Sequence, residues 1–197
     1  MARFDYYDRL SAKDKKTYAK SDATPRIDLP FASTLAPLVE DLDAALKSEK
    51  RLATSKAANA LTAAICKQLS VELVKVTVRA IRPTFEGGEL HGLYTYAQPG
   101  GKPAQIEVWM RTVAHQRVVR FKTFARTLLH EICHHLDLTL LALNDSFHTE
   151  GFFKRESSLM RQLMPPAAEP KPAPIKPEKR ENPGPQQLDL FGRTPKR

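Results

Sequence analysis

TLLHEICHHLD, residues 127–137, is the stretch from which the rest of the chain can be read. Leu128, Leu129, Ile132 and Leu136 recur at helical spacing, as expected of a helix with one face in a core. His130 and His134 stand at i and i+4, one turn apart, so both imidazoles leave the same face. That spacing suits joint coordination of one zinc ion at ~2.0–2.1 Å. Glu131 follows the first histidine and can serve as a base beside the metal without ligating it. His135 points about 100° away from His134 and is expected in a supporting role or at the surface. Cys133 is expected to pack as a small buried hydrophobe.

A catalytic zinc needs a third protein ligand and one open position. Asp137 and Leu140 stand where a metzincin would carry Gly and His, so that pattern is absent. Downstream, DSFHTEGFFKRESSL offers His148, Glu150 and Glu156. His148 lies fourteen residues past His134, far enough for the chain to turn back, and it opens the last helix. It is the favoured third ligand, with Glu156 and Glu150 as alternatives.

Working toward the N-terminus, VELVKVTVRAI (71–81) reads as a strand. LHGLYTYA and AQIEVWM, around QPGGKP, read as a hairpin with a long loop. Before them lie two helical stripes. Leu35, Leu38, Val39, Leu42, Ala45 and Leu46 form one; Ala57, Ala58, Leu61, Ile65 and Leu69 form the other, with a break or bend near 48–54. A short helix is expected from Ser11 to about Lys20, with Ser11 as N-cap. Helix returns over about 117–143 and 150–163. Strands flanked by helices, without βαβ alternation, predict an α+β domain. Residues 1–33 read as a polar N-terminal segment and 34–164 as the domain.

After Met164 the composition changes. PPAAEPKPAPIKPEKRENPGPQ holds eight prolines and almost no large apolar side chain, so residues 165–197 are expected to be a disordered tail. Near its end comes Gln187-Leu188-Asp189-Leu190-Phe191, which resembles the bacterial sliding-clamp-binding motif. Leu190 and Phe191 can fill an apolar pocket while Gln187 hydrogen-bonds at its rim, and the Pro-rich tether lets the peptide search.

The 197 residues, 42% hydrophobic and 27% charged, suffice for one core. No apolar run approaches the ~20 residues of a membrane span, and MARFDYYDRLSAKDKK lacks the apolar region of a secretory signal. Cys66 and Cys133 form no framework, which suits a reduced, cytoplasmic setting. The formal charge of +9, from 31 Lys and Arg against 22 Asp and Glu, favours polyanions such as DNA. Arg111, Arg117, Arg120, Lys122 and Arg126 are the cations best placed for phosphate, or else an ordinary solvated face.

The order strand, strand, His-Glu-x-x-His helix, loop and His-x-x-x-Phe (His148 to Phe152) resembles the SprT-like metallopeptidases over roughly residues 35–164. The resemblance implies a minimal zincin fold, one Zn2+ on His130, His134 and His148, and Glu131 as base. It also implies cleavage of proteins, in some members those crosslinked to DNA. Thr149 replaces the Gly usual after the third histidine, and the cysteines of a zinc ribbon found in bacterial relatives are absent. The expected function is that of a zinc metalloendopeptidase acting near DNA, tethered to the clamp and nucleoid-associated. The alternatives are a non-catalytic clamp-binding adaptor with structural zinc and a regulatory peptidase without a nucleic-acid role. The strand around Gln105–Trp109 is expected to pair with substrate backbone. Tyr94, Tyr96 and His91 are the candidates for stabilising the oxyanion.

Overall fold

The computed structural model describes residues 4–86, 88–98 and 100–165. Among them are five α-helices, a three-stranded sheet and a small hairpin, which makes the domain mixed α+β. None of these helices is long and apolar enough to cross a membrane.

Helix α1 spans Ala12–Asp22 and begins where Ser11 Oγ accepts from the Asp14 N–H, at 3.1 Å. The two apolar stripes become α2 (Ala36–Lys47) and α3 (Arg51–Gln68). They are separated by a break at 48–50, where Glu49 takes a φ of 58°. Strand β1 (Lys75–Ile81) follows, then the short pair β2 (Thr84–Phe85) and β3 (Gly88–Glu89), then β4 (Gly92–Thr95) and β5 (Gln105–Arg111). Helix α4 (Phe121–Thr139) carries the two histidines, and α5 (Glu150–Leu163) closes the domain, capped by Thr149 Oγ1 on the Phe152 N–H. The helix expected from about Arg117 starts later. Val118 bridges to Arg111, and the Val119 N–H donates to the Met110 carbonyl at 2.9 Å, so residues 117–120 stay with the sheet.

The sheet order is β1-β5-β4, with β1 parallel and β4 antiparallel to β5. This corrects the expectation that β5 receives substrate: both its edges are already paired, as an adequately buried central strand requires. The outer edge of β1 is covered too. Asn59 on α3 brackets Val76, accepting its N–H at 2.9 Å and donating to its carbonyl at 2.6 Å. Among the described strands of this sheet, β4 alone keeps an open edge, and β4 itself packs on α4.

Ile106, Val108 and Met110 of β5 pack into one core with Leu128, Leu129, Ile132 and Leu136 of α4. Leu42, Leu61 and Ile65 close it from α2 and α3, and Phe152 and Leu159 from α5. The N-terminal segment joins the same compact unit, since α1 packs on α5.

Candidate metal centre

The buried apolar face of α4 fixes the direction in which its histidines point. With Leu128, Leu129, Ile132 and Leu136 in the core, His130 and His134 emerge together on the adjacent face, beside α5. The loop 140–149 then returns His148 to them. His148 Nε2 lies 3.0 Å from His130 Nε2 and 3.1 Å from His134 Nε2. Tetrahedral ligands at ~2.0–2.1 Å from one zinc stand about 3.3 Å apart, so the spacing fits a shared cation.

The hydrogen bonds on the far side of each ring fix which nitrogen is free. His130 Nδ1 lies 3.0 Å from Glu156 Oε2, an acceptor, so Nδ1 carries the proton and Nε2 a lone pair. Ser146 Oγ donates its one hydrogen to Asp137 Oδ2 at 2.8 Å and so accepts from His134 Nδ1–H, also at 2.8 Å. The Nε2 of His134 is therefore a lone pair as well. A proton on His148 Nε2 can serve only one of these two lone pairs well at a time, whereas a cation among the three nitrogens satisfies all of them. This donor set suits a metal, and His130, His134 and His148 form a cluster able to hold one.

The supports are themselves anchored. Glu156 is buried and takes Arg126 Nη1 at 2.8 Å on its other oxygen. It braces His130, while partly exposed Glu150 pairs with Lys154 at 2.5 Å, so neither acid takes the third place in the triad. Asp137 and Arg155 are wholly buried and paired at 2.8 Å. Arg155 reaches on to α1, donating to the Ser21 carbonyl at 2.6 Å, to Ser21 Oγ at 2.9 Å and to the Thr24 carbonyl. The His148 loop is pinned by the same segment. Tyr6 Oη donates to the His148 carbonyl at 2.8 Å, and the Gly151 N–H donates to Asp22 Oδ1 at 2.8 Å. Gly151 admits no side chain, because a Cβ there would stand 2.6 Å from the Ser21 carbonyl oxygen.

Glu131 is 5% exposed and lines a cavity of about 220 Å³ with His130, His134, His148, Leu93 and Tyr96. Burial raises its pKa to about 7, against the opposing pull of the neighbouring His130 and of a hydrogen bond from the Tyr94 main chain. Burial likewise pushes His134 down to about 3, helped by the charges of His130, His148 and Arg155, and it lowers His148. Both histidines are therefore neutral at pH 7, the state in which imidazole binds metal.

Gly92 has no counterpart among the residues singled out from sequence. A Cβ at this position would stand 2.8 Å from Cγ and Cδ of Glu131 and closer still to its Oε1. The bare backbone of β4 is what lets the carboxylate occupy its place. The β4–β5 register, with the Trp109 N–H donating to the His91 carbonyl, turns the main-chain groups of Gly92 and Tyr94 toward the open edge.

The remaining predicted residues divide. His135 is 1% exposed: its Nε2–H donates to the Glu72 carbonyl at 2.8 Å, so Nδ1 accepts from Tyr94 Oη at 3.2 Å. Tyr94 is thereby committed to packing. Tyr96 donates to Asp145 Oδ1 at 3.0 Å at the rim of the histidine cavity, and His91 lines a neighbouring cavity. Cys133 is buried and free. Arg111 is tied to Glu49 at 2.6 Å and Arg126 to Glu156, whereas Arg117, Arg120 and Lys122 are exposed. Gln187, Leu188, Asp189, Leu190 and Phe191 lie outside the described residues.

Comparison with protein-family models, with curated proteins and with solved structures finds no match.

Proposed function

We propose that this chain is a zinc metalloendopeptidase with a minimal zincin fold. The observation that carries the proposal is the convergence of three imidazole Nε2 atoms beside a buried carboxyl group that none of them uses. A zinc ion held there supplies Lewis acidity to the scissile carbonyl and to the attacking water. Glu131, buried beside the three imidazoles, takes a proton from that water and returns it to the leaving amine. Glu156 and Ser146 hold the tautomers of His130 and His134. The open edge of β4 offers the main-chain groups of Gly92 and the Tyr94 carbonyl to an extended peptide, the Tyr94 N–H being bonded to Glu131. A purely structural site has no use for a base at position 131, which favours an enzyme over an adaptor.

The DNA-associated part of the proposal rests on the charge of +9 and on the tail peptide. A Pro-rich tether ending in Gln187-Leu188-Asp189-Leu190-Phe191 suits docking on a sliding clamp, and loss of clamp binding on Leu190→Ala with Phe191→Ala tests it. For the chemistry, the test is Glu131→Gln. One zinc per chain should remain while hydrolysis of an unfolded protein falls by about 10²–10⁴-fold, with and without single-stranded DNA. Undiminished hydrolysis by this variant rejects the assignment.

A further inference from the structure

Beside the histidine cavity lies a second one, of about 410 Å³, lined by Glu89, His91, Gly92, Thr127, Arg126 and Glu156 among others. Gly92, His130 and Glu131 belong to both cavities, so the reacting centre sits between them. Arg126 in turn borders a third hollow, of about 510 Å³, between the first turns of α4 and the last turns of α5. Its floor is Met160 and Met164, and its cations are Lys122, Arg126 and Arg161.

The charge in this groove is poorly balanced. Arg126 is half exposed and shares Glu156 with His130, so that one carboxylate is already committed twice. Lys122 and Arg161 are exposed, and the first turn of α4 holds no acidic side chain. Three cations above an apolar floor, continuous with a cleft that takes extended peptide, call for an anionic polypeptide.

The direction of the substrate follows from the strand. β4 runs from the His91 end of the cleft toward Tyr96, and antiparallel pairing is the more stable arrangement. A peptide added that way enters over Leu93 and Tyr96 and leaves over Arg126. Arg126 and Lys122 lie one and two turns of α4 before His130. At ~5.4 Å per turn and ~3.3 Å per extended residue, they meet side chains about two to four residues beyond the scissile bond. We infer that the Lys122–Arg126–Arg161 groove selects substrates with an acidic stretch on the C-terminal side of the cleaved bond. A single-stranded nucleic acid suits it less, because among the described residues no aromatic side chain lines the groove for a base to stack on. The inference rests on the peptidase reading for its direction, though not for the binding itself.

The test uses the full-length, zinc-loaded Glu131→Gln chain and fluorescent peptides with one common N-terminal half and a Glu-rich, Gln-rich or Lys-rich C-terminal half. The Glu-rich peptide should bind about tenfold more tightly than the Gln-rich one at low salt, and the Lys-rich one most weakly. Lys122→Glu with Arg161→Glu, which leaves the metal centre untouched, should reverse that order. Equal affinities, or an order that survives the charge reversal, overturn the inference. So does a short single-stranded oligonucleotide that displaces the Glu-rich peptide and loses its own binding on charge reversal, since the groove is then a nucleic-acid site. Wild-type chain incubated with the same peptides keeps the two ideas apart. Binding in the stated order without cleavage defeats the peptidase reading alone; cleavage without the order defeats the groove alone.

Discussion

His130 and His134 reach the metal centre by a different route from His148. The first two are set by one turn of a helix whose opposite face is core, so four residues of local geometry bring them together. His148 sits on a loop and is held by partners far away in sequence, Tyr6 on its carbonyl and Asp22 on the neighbouring Gly151. The two arms meet below the surface, where Asp137 supports His134 through Ser146 and receives Arg155, which is itself bound to α1. A helix can present ligands unaided, whereas a loop ligand needs the N-terminal segment to act as its strut.

Cutting the tie between the arms should have the largest effect. Arg155→Met removes the buried partner of Asp137, whose carboxyl group burial already pushes up, for a loss of about 3–5 kcal/mol in urea unfolding of the metal-free chain. Zinc affinity should fall with it. A loss under about 1 kcal/mol would show the arms to be independent.

Gly92→Ala separates the metal from the base. Zinc affinity should be unchanged while turnover drops about tenfold or more, because a methyl group displaces Glu131 from its seat against β4. If Glu131→Asp harms the Gly92→Ala chain less than the wild type, the shorter carboxylate has taken up the space, and the steric account is sharpened. Equal harm in both backgrounds counts against it.

Acid should distinguish the histidines from the carboxyl group. In metal-free protein His134 is held near 3, so from about 6.5 downward the unfolded chain gains a proton that the fold refuses, and stability is lost as pH falls. Glu131 works the other way: raised from 4.5 to about 7, it keeps its proton in the fold while the unfolded chain releases it, and its contribution is lost as pH rises through that window. Removing that opposition, Glu131→Gln should make the metal-free chain lose stability more steeply than wild type between pH 6.5 and 4.5. Parallel thermal-melting curves over that range would contradict these environments.

The smallest effect belongs to the loop arm's outer contact. Tyr6→Phe removes the hydrogen bond to the His148 carbonyl and should cost about 0.5–1.5 kcal/mol, with zinc affinity reduced a few-fold and hydrolysis retained.

The contrast between the arms also explains what was legible in the sequence. Periodicity exposed α2, α3 and α4, and Ser11 was readable as a cap, because these signals lie within a turn or two of their partners. His148 could be favoured for its residue type and position but not distinguished from Glu156 and Glu150 without the fold. The Tyr6, Ser21 and Asp22 contacts span more than a hundred residues and leave no local pattern, so residues 1–33 read as a polar segment with one short helix and not as a support for the site. β5 read as a receptive strand because its alternation says nothing about its neighbours; parallel pairing with β1 places it in the centre. Gly92 was invisible for a similar reason. A glycine in a strand signals a close approach, but only the register identifies Glu131 as what approaches.

The most direct test of the account is titration of the metal-free chain with zinc against a chromophoric chelator. One ion per chain should bind tightly in the wild type, and His148→Ala should weaken it as severely as His130→Ala or His134→Ala. A chain that takes up no zinc, or one in which His148→Ala binds as well as wild type, would contradict a shared three-imidazole centre.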